Sequence, residues 1–199
     1  LFVMQGGQVG TPDSRVHVVL GSGDDIFRMT GGRIYGSVFG LGGEDLFEVS
    51  GGTVDAIYSG SSNETVIISG TAIIGPPDPA IGFDAVGLED GDDIFIMTGG
   101  TLLGGVSGGA GADVLRISGG RITAYVAGNE GDDLIEISGT ANIEGHVTAG
   151  EGNDRVIVSG GTIGAFIDGG EGNDHIEVSG NATIAEYIFG NAGNDTLRG

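Results

Sequence analysis

Cysteine and tryptophan are absent from this 199-residue chain, and so is lysine, since all seven basic residues are arginine; proline occurs only four times. Without a thiol there is no disulfide and no thiolate metal site. Seven arginines against 28 acids leave a formal net charge of -21. Such a surface repels a phosphate backbone, which excludes nucleic acid as a partner, and its natural counter-charge is a cation. No apolar run approaches the roughly 20 residues that cross a bilayer, and no basic stretch followed by an apolar one marks a signal peptide. Membrane insertion by this segment is therefore not expected. Glycine is what abounds, at 44 residues, without the three-residue period of collagen, so it must serve corners. A hydrophobic content of 39% and a mean hydropathy of +0.17 predict a buried core despite the charge, which must then be segregated in space.

The glycines and acids repeat together. An acid closes each Gly-rich stretch at Asp25, Asp45, Glu64, Asp93, Asp113, Asp133, Asp154, Asp174 and Asp195, at steps of 19 to 21 residues apart from one of 29. The long step contains GPPDPAIGF, whose prolines exclude a central strand and predict a loop insertion near 75–83. Two and four residues after the acids come apolar pairs such as Phe27 and Met29, Phe95 and Met97, or Ile135 and Ile137, the alternation of a half-buried strand. A second apolar set follows the Ser-Gly corners, at Ile34, Val54, Ile73, Leu102, Ile122, Ile143, Ile163 and Ile184. A third follows at Val38, Val86, Val106, Val126, Val147, Ile167 and Ile188. One such unit cannot bury its apolar face alone, but stacked copies can. The expected fold is all-β: a right-handed parallel β-helix, or solenoid, of about eight to nine coils of ~20 residues, a rod about 40 Å long at the ~4.8 Å strand spacing. The chain opens on LFVMQGG, already mid-pattern, and no linker divides it. Residues 1–199 read as a single β-helix segment truncated at both ends, the rest of a parent chain continuing the helix.

Stacking places the acidic corners about 5 Å apart along one edge, at a cost on the order of 1 kcal/mol per neighbouring pair in water. Calcium suits such an edge because it takes several carboxylate and main-chain carbonyl oxygens together. GGEGNDHIE (169–177), GNAGNDTLR (190–198), GGAGADVLR (108–116) and GNEGDDLIE (128–136) resemble the calcium-binding nonapeptide of RTX proteins, G-G-x-G-x-D-x-U-x. The resemblance implies Ca2+ as cofactor, carboxylate ligands at Asp25, Asp45, Asp93, Asp113, Asp133, Asp154, Asp174 and Asp195, and loop-shaping glycines at Gly23, Gly43, Gly91, Gly111, Gly131, Gly152, Gly172 and Gly193. The SSNET stretch (61–65) departs from the pattern, with neither glycine and with Glu in place of Asp. RTX rolls carry the nonapeptide on both edges of each coil, whereas here the opposite corner reads SGGTI or a variant. That mixed coil resembles the passenger β-helices of bacterial autotransporters with one RTX-like edge. A simpler role for the same aspartates is to cap turns through hydrogen bonds to main-chain amides.

The three histidines, His17, His146 and His175, fall at unrelated repeat positions, and the serines sit in Ser-Gly corners. Arg28 and Glu48, and Arg116 and Glu136, occupy one outward strand position a coil apart and read as charge pairs, while Arg121 and Arg155 stand isolated. No catalytic residue is assigned and no enzyme is expected; a calcium-dependent enzyme on acidic polysaccharide and a passive RTX-type secretion or spacer repeat are the alternatives. The outward position before the third apolar set carries Tyr125, His146, Phe166 and Tyr187, expected to stack as an aromatic ladder and to bind a partner, a host surface protein or a glycan. The passenger resemblance implies a secreted or cell-surface protein of bacteria, a stalk and adhesin.

Overall fold

The structure, a computed structural model, describes residues 1–76 and 84–199. From residue 77 onward the expected insertion lies outside the described residues. All pairings between strands are parallel, each strand bonding to its counterparts one coil earlier and one coil later, as in Phe27↔Phe47, Phe47↔Val66, Val66↔Phe95 and Phe95↔Leu115. The chain is a parallel β-solenoid of about nine turns, and no helix occurs among the described residues.

The parallel arrangement follows from the repeat. Side chains alternate across a strand, so a fixed period sends equivalent residues to the same side in every coil. Three inward columns fill the interior. The first runs from Phe27, Phe47 and Phe95 to Leu115, Ile135 and Val156, all at most 1% exposed. Its aromatic end is continuous, with Phe2 stacked on Phe27 at 5.2 Å and Phe27 tilted on Phe47 at 6.2 Å. The second and third columns, led by Ile34 and Val38, close the other two sides.

One assignment is corrected in the second column. Ile74, not Ile73, pairs with Val54 and Leu102 and is fully buried, while Ile73 is 37% exposed. Before the paired residues Ile73 and Thr53, the corner Ser69-Gly70-Thr71-Ala72 spends one residue more than Ser50-Gly51-Gly52. Its turn closes from Ala72 N–H to the Ser69 carbonyl, and buried Ala72 fills the corner. The third column also gains Ile57, which pairs with Val38 and Val86.

Candidate metal centre

Each aspartate of the repeat follows directly on its Gly-rich corner, at the start of an inward-facing strand, so its carboxylate turns into the solenoid. Asp45, Asp93, Asp113, Asp133, Asp154 and Asp174 are buried, and Glu64 takes their place in its coil. Their carboxylates form a ladder. Oδ1 of Asp113, Asp133, Asp154 and Asp174 accepts the main-chain N–H of the aspartate one coil earlier, at 2.9, 2.8, 2.8 and 3.0 Å. Half of each carboxylate therefore caps a turn, as the simpler reading holds. The other half does not: Oδ2 of Asp45, Asp93, Asp113, Asp133, Asp154 and Asp174 is buried without a hydrogen-bond partner. A buried carboxylate oxygen accepts but cannot donate, and left unpaired it is costly.

These oxygens share their space with carbonyls. A β-carbon on Gly128 would lie 2.1 Å from Asp133 Oδ2 and 2.5 Å from the Ala149 carbonyl oxygen. On Gly108 it would lie 2.3 Å from Asp113 Oδ2 and 2.5 Å from the Gly128 oxygen, and Gly40 and Gly169 repeat the arrangement with Asp45 and Asp174. Carboxylate and carbonyl oxygens thus converge on a spot that only glycine leaves open. These first glycines, five residues before the acid, were not singled out from the sequence; they occupy the opening position of the nonapeptide. Leu88 and Ala149 stand at that place before Asp93 and Asp154.

The loop-shaping glycines are required by close approach. Gly152 has φ 136° and its β-carbon would strike the Gly131 carbonyl oxygen at 2.1 Å. Gly111, Gly131, Gly172 and Gly193 meet the same oxygen of the preceding coil, and Gly91 meets that of Ser62. Gly43 approaches the Gly23 backbone, whereas Gly23 itself has open space. Asp25 and Asp195, in the outer coils, are half-exposed. Asp195 accepts the Asp174 N–H at 3.1 Å.

Burial pushes the Asp93 carboxyl up to about 8, Asp133 to about 7, and Asp113 and Asp154 to about 6. Neighbouring carboxylates add to the rise, and the accepted N–H partly offsets it. Asp45 and Asp174 move in the same direction for the same first cause. Glu64 is pushed up to about 7 by burial, yet its carboxylate is satisfied, accepting from Ser62 N–H at 3.1 Å and from Ser59 Oγ at 3.4 Å.

Among the described residues no three His, Cys, Asp or Glu side chains converge as a metal cage. The donor set is instead one carboxylate oxygen per coil with main-chain carbonyls, a hard all-oxygen set that fits calcium rather than a softer ion.

On the aromatic face, Tyr125 stacks on His146 at 5.6 Å and His146 on Phe166 at 4.9 Å, within 15° of parallel. Tyr187 does not extend the stack. Phe166 meets Phe189 edge-on at 6.2 Å, and Tyr187, 65% exposed, tilts against Phe189. A second stack unforeseen from the sequence joins His17, Phe39 and Tyr58, the last two at 5.3 Å. The charge pairs form as expected, Arg28 with Glu48 and Arg116 with Glu136. Arg121 is not isolated: it donates to both carboxylate oxygens of Glu144, at 2.6 and 3.0 Å.

No family model and no curated protein matches this sequence. In structure it is similar to a hyperactive, Ca2+-dependent, β-helical antifreeze protein from an Antarctic bacterium, with a TM-score of 0.55 and 20% identity over 96% of this chain and 70% of that one. At that identity the likeness is one of fold.

Proposed function

We propose that this chain is a calcium-stabilised β-helical segment of a secreted or surface-displayed bacterial protein, a stalk whose side presents a binding surface to a host protein or glycan. The observation that carries the reading is the file of buried aspartates with one unpartnered oxygen each. The Ca2+ dependence of the β-helical neighbour supports it. Bound there, calcium supplies the positive charge that the edge lacks and accepts several oxygens together. The chain's own part is to hold those oxygens. Each Oδ1 is anchored by an N–H, which at Asp45, Asp113, Asp133 and Asp174 leaves Oδ2 and the adjacent carbonyl turned toward the glycine space. Where calcium is scarce, as in cytosol, the file repels itself; outside the cell it is neutralised, so folding follows export by mass action.

The reading contains no catalysis. Arg28, Arg33, Arg116 and Arg121 are each committed to a carboxylate. For adhesion, Tyr187 is the cleanest probe because it is the most exposed ring of the face. Tyr125, Phe166 and Tyr187 replaced together by Ser should abolish glycan or host-surface binding. Tyr187→Ser alone should weaken binding without moving the melting temperature, and unchanged binding in both discards that surface.

The calcium reading is tested by far-UV circular dichroism melting in chelator, in calcium and in magnesium. One site at 100-fold excess over its Kd adds about 2.7 kcal/mol, which is roughly 5–10 °C for a domain of this size, and several sites add more. Equal melting in chelator and calcium would leave the aspartates as turn caps only.

A further inference from the structure

The outer side of the first sheet carries little net charge on a molecule of net charge -21. Its strands, from Phe2–Met4 and Ile26–Met29 through Leu46–Val49, Thr65–Ile68, Ile94–Leu102, Val114–Ile122 and Leu134–Ile137 to Arg155–Val158, stack in unbroken parallel register. One outward column reads Val3, Arg28, Glu48, Ile67, Ile96, Arg116, Glu136, Ile157 and, in the last two coils, Glu177 and Arg198. About a point between Ile67 and Ile96 its first eight positions are complementary, with Glu177 and Arg198 lying beyond them. Ile67 mirrors Ile96, Glu48 mirrors Arg116, Arg28 mirrors Glu136, and Val3 mirrors Ile157. The adjacent outward column sets uncharged residues together about the same point, Thr65 with Ile94, Leu46 with Val114 and Ile26 with Leu134, while Arg155, next in that column, has no charged counterpart. These side chains are half-exposed or exposed, Ile94 at 37% and Val3 at 53%.

We propose that this face docks a second copy of the chain, antiparallel, about a two-fold axis parallel to the strands and midway between Ile67 and Ile96. Such an axis lays each column on the same column of the partner in reverse order, which is the self-complementarity that an isologous interface demands. Arg28, Glu48, Arg116 and Glu136 then each meet an opposite charge, and the two intrachain pairs merge into four-charge clusters across the interface. Eight strands at ~4.8 Å and a width of about 12 Å give on the order of 450 Å2 per partner, the size of a weak, reversible dimer. The charge pairing on this face uses none of the aspartates of the file, so the inference does not rest on the calcium reading.

Sedimentation equilibrium of the whole chain, in calcium and in chelator, tests it. A dimer with Kd on the order of 10–100 μM is expected where the chain is folded. Ile96→Asp, which sets an acid against the partner's Ile67 on both sides of the axis, should raise Kd at least tenfold, with melting checked alongside. Arg28→Glu should weaken the dimer, since it meets the partner's Glu136. Arg28→Glu combined with Glu136→Arg should restore it, although that variant has lost both intrachain pairs. A role confined to the single chain would leave the double variant worse than either single one. A folded chain that stays monomeric, a dimer indifferent to Ile96→Asp, or a double variant without recovery each overturns the inference. A monomer that still gains melting temperature from calcium sinks it while leaving the calcium reading intact.

Discussion

Leu41, Glu89, Asn129 and Asn191 hold φ of 81°, 77°, 85° and 65°, and each stands four residues before its aspartate, where other coils place glycine. A side chain in that left-handed region costs roughly 1–2 kcal/mol, least for Asn. Leu41 is 54% exposed, so its side chain returns little in packing. Leu41→Gly should therefore stabilise the chain by about 1 kcal/mol in a denaturant titration, with Asn129→Gly close to neutral. Gly152→Ala should do the opposite and destabilise by more than about 2 kcal/mol, because its new methyl meets a backbone oxygen of the neighbouring coil. At this scale the sequence was legible wherever the period held. It failed at Ile73 because Ala72 absorbs an extra residue inside the turn. Tyr58 was passed over with Ile57, the inward residue beside it, because Ile57 follows Val54 by three residues where most other coils space their second and third apolar positions by four.

The element that recurs is the corner, and two hydrogen-bonded ladders run along it. The inner one sends each Asp Oδ1 to the coil before. The outer one sends the residue beside it to the coil after: Asp92 Oδ1 accepts from Ala112 N–H at 2.8 Å, Asp132 Oδ1 from Asn153 at 2.7 Å, and Asn153 Oδ1 from Asn173 at 3.1 Å. The doubled polar residues of the corner are therefore stapled in both directions, at about 1 kcal/mol per bond or more where charged. That use could not be read from the pairs themselves, since spacing gives the layer but not the direction in which a side chain reaches. The calcium-free corner also has a pH signature. Its carboxyls titrate near 4 when unfolded but at about 6 to 8 for Asp93, Asp113, Asp133 and Asp154 in the fold. Between those values the folded chain binds more protons than the unfolded one, so its stability is lost as pH rises. In calcium-stripped buffer the melting temperature should climb as pH falls from about 8 to 5. Saturating calcium should flatten or reverse that slope, because a cation favours the ionised form. A flat profile in stripped buffer would mean that the file carries no unrelieved charge.

Across the whole molecule the main-chain bonds join neighbouring coils, with Tyr125 alone among the side-chain hydrogen bonds of the described residues reaching over one coil to Asp84, so stability is close to a sum of coil and interface contributions. The inward columns are fully buried through the middle coils, while Ile188 and Leu197 in the last coil are 36% and 48% exposed. Amide hydrogen exchange should accordingly be slowest around Ile135 and Val156 and quicken toward Ile188; uniform protection would contradict the nearest-neighbour account. The solenoid and its aspartate file were written plainly in the twenty-residue period, because repetition multiplies a weak local signal. The outer face was not, since its meaning lies in an order of residues across eight coils rather than within one. The parallel coiling has a mechanical consequence as well. The bonds between coils run along the rod, so a pull on its two ends loads them one coil at a time. Each coil released would pay out about 20 residues, or roughly 65 Å of extended chain in exchange for ~5 Å of rod. A tethered stalk of this construction would yield as a spool does, lengthening in even steps under a nearly constant force and rewinding when slack returns.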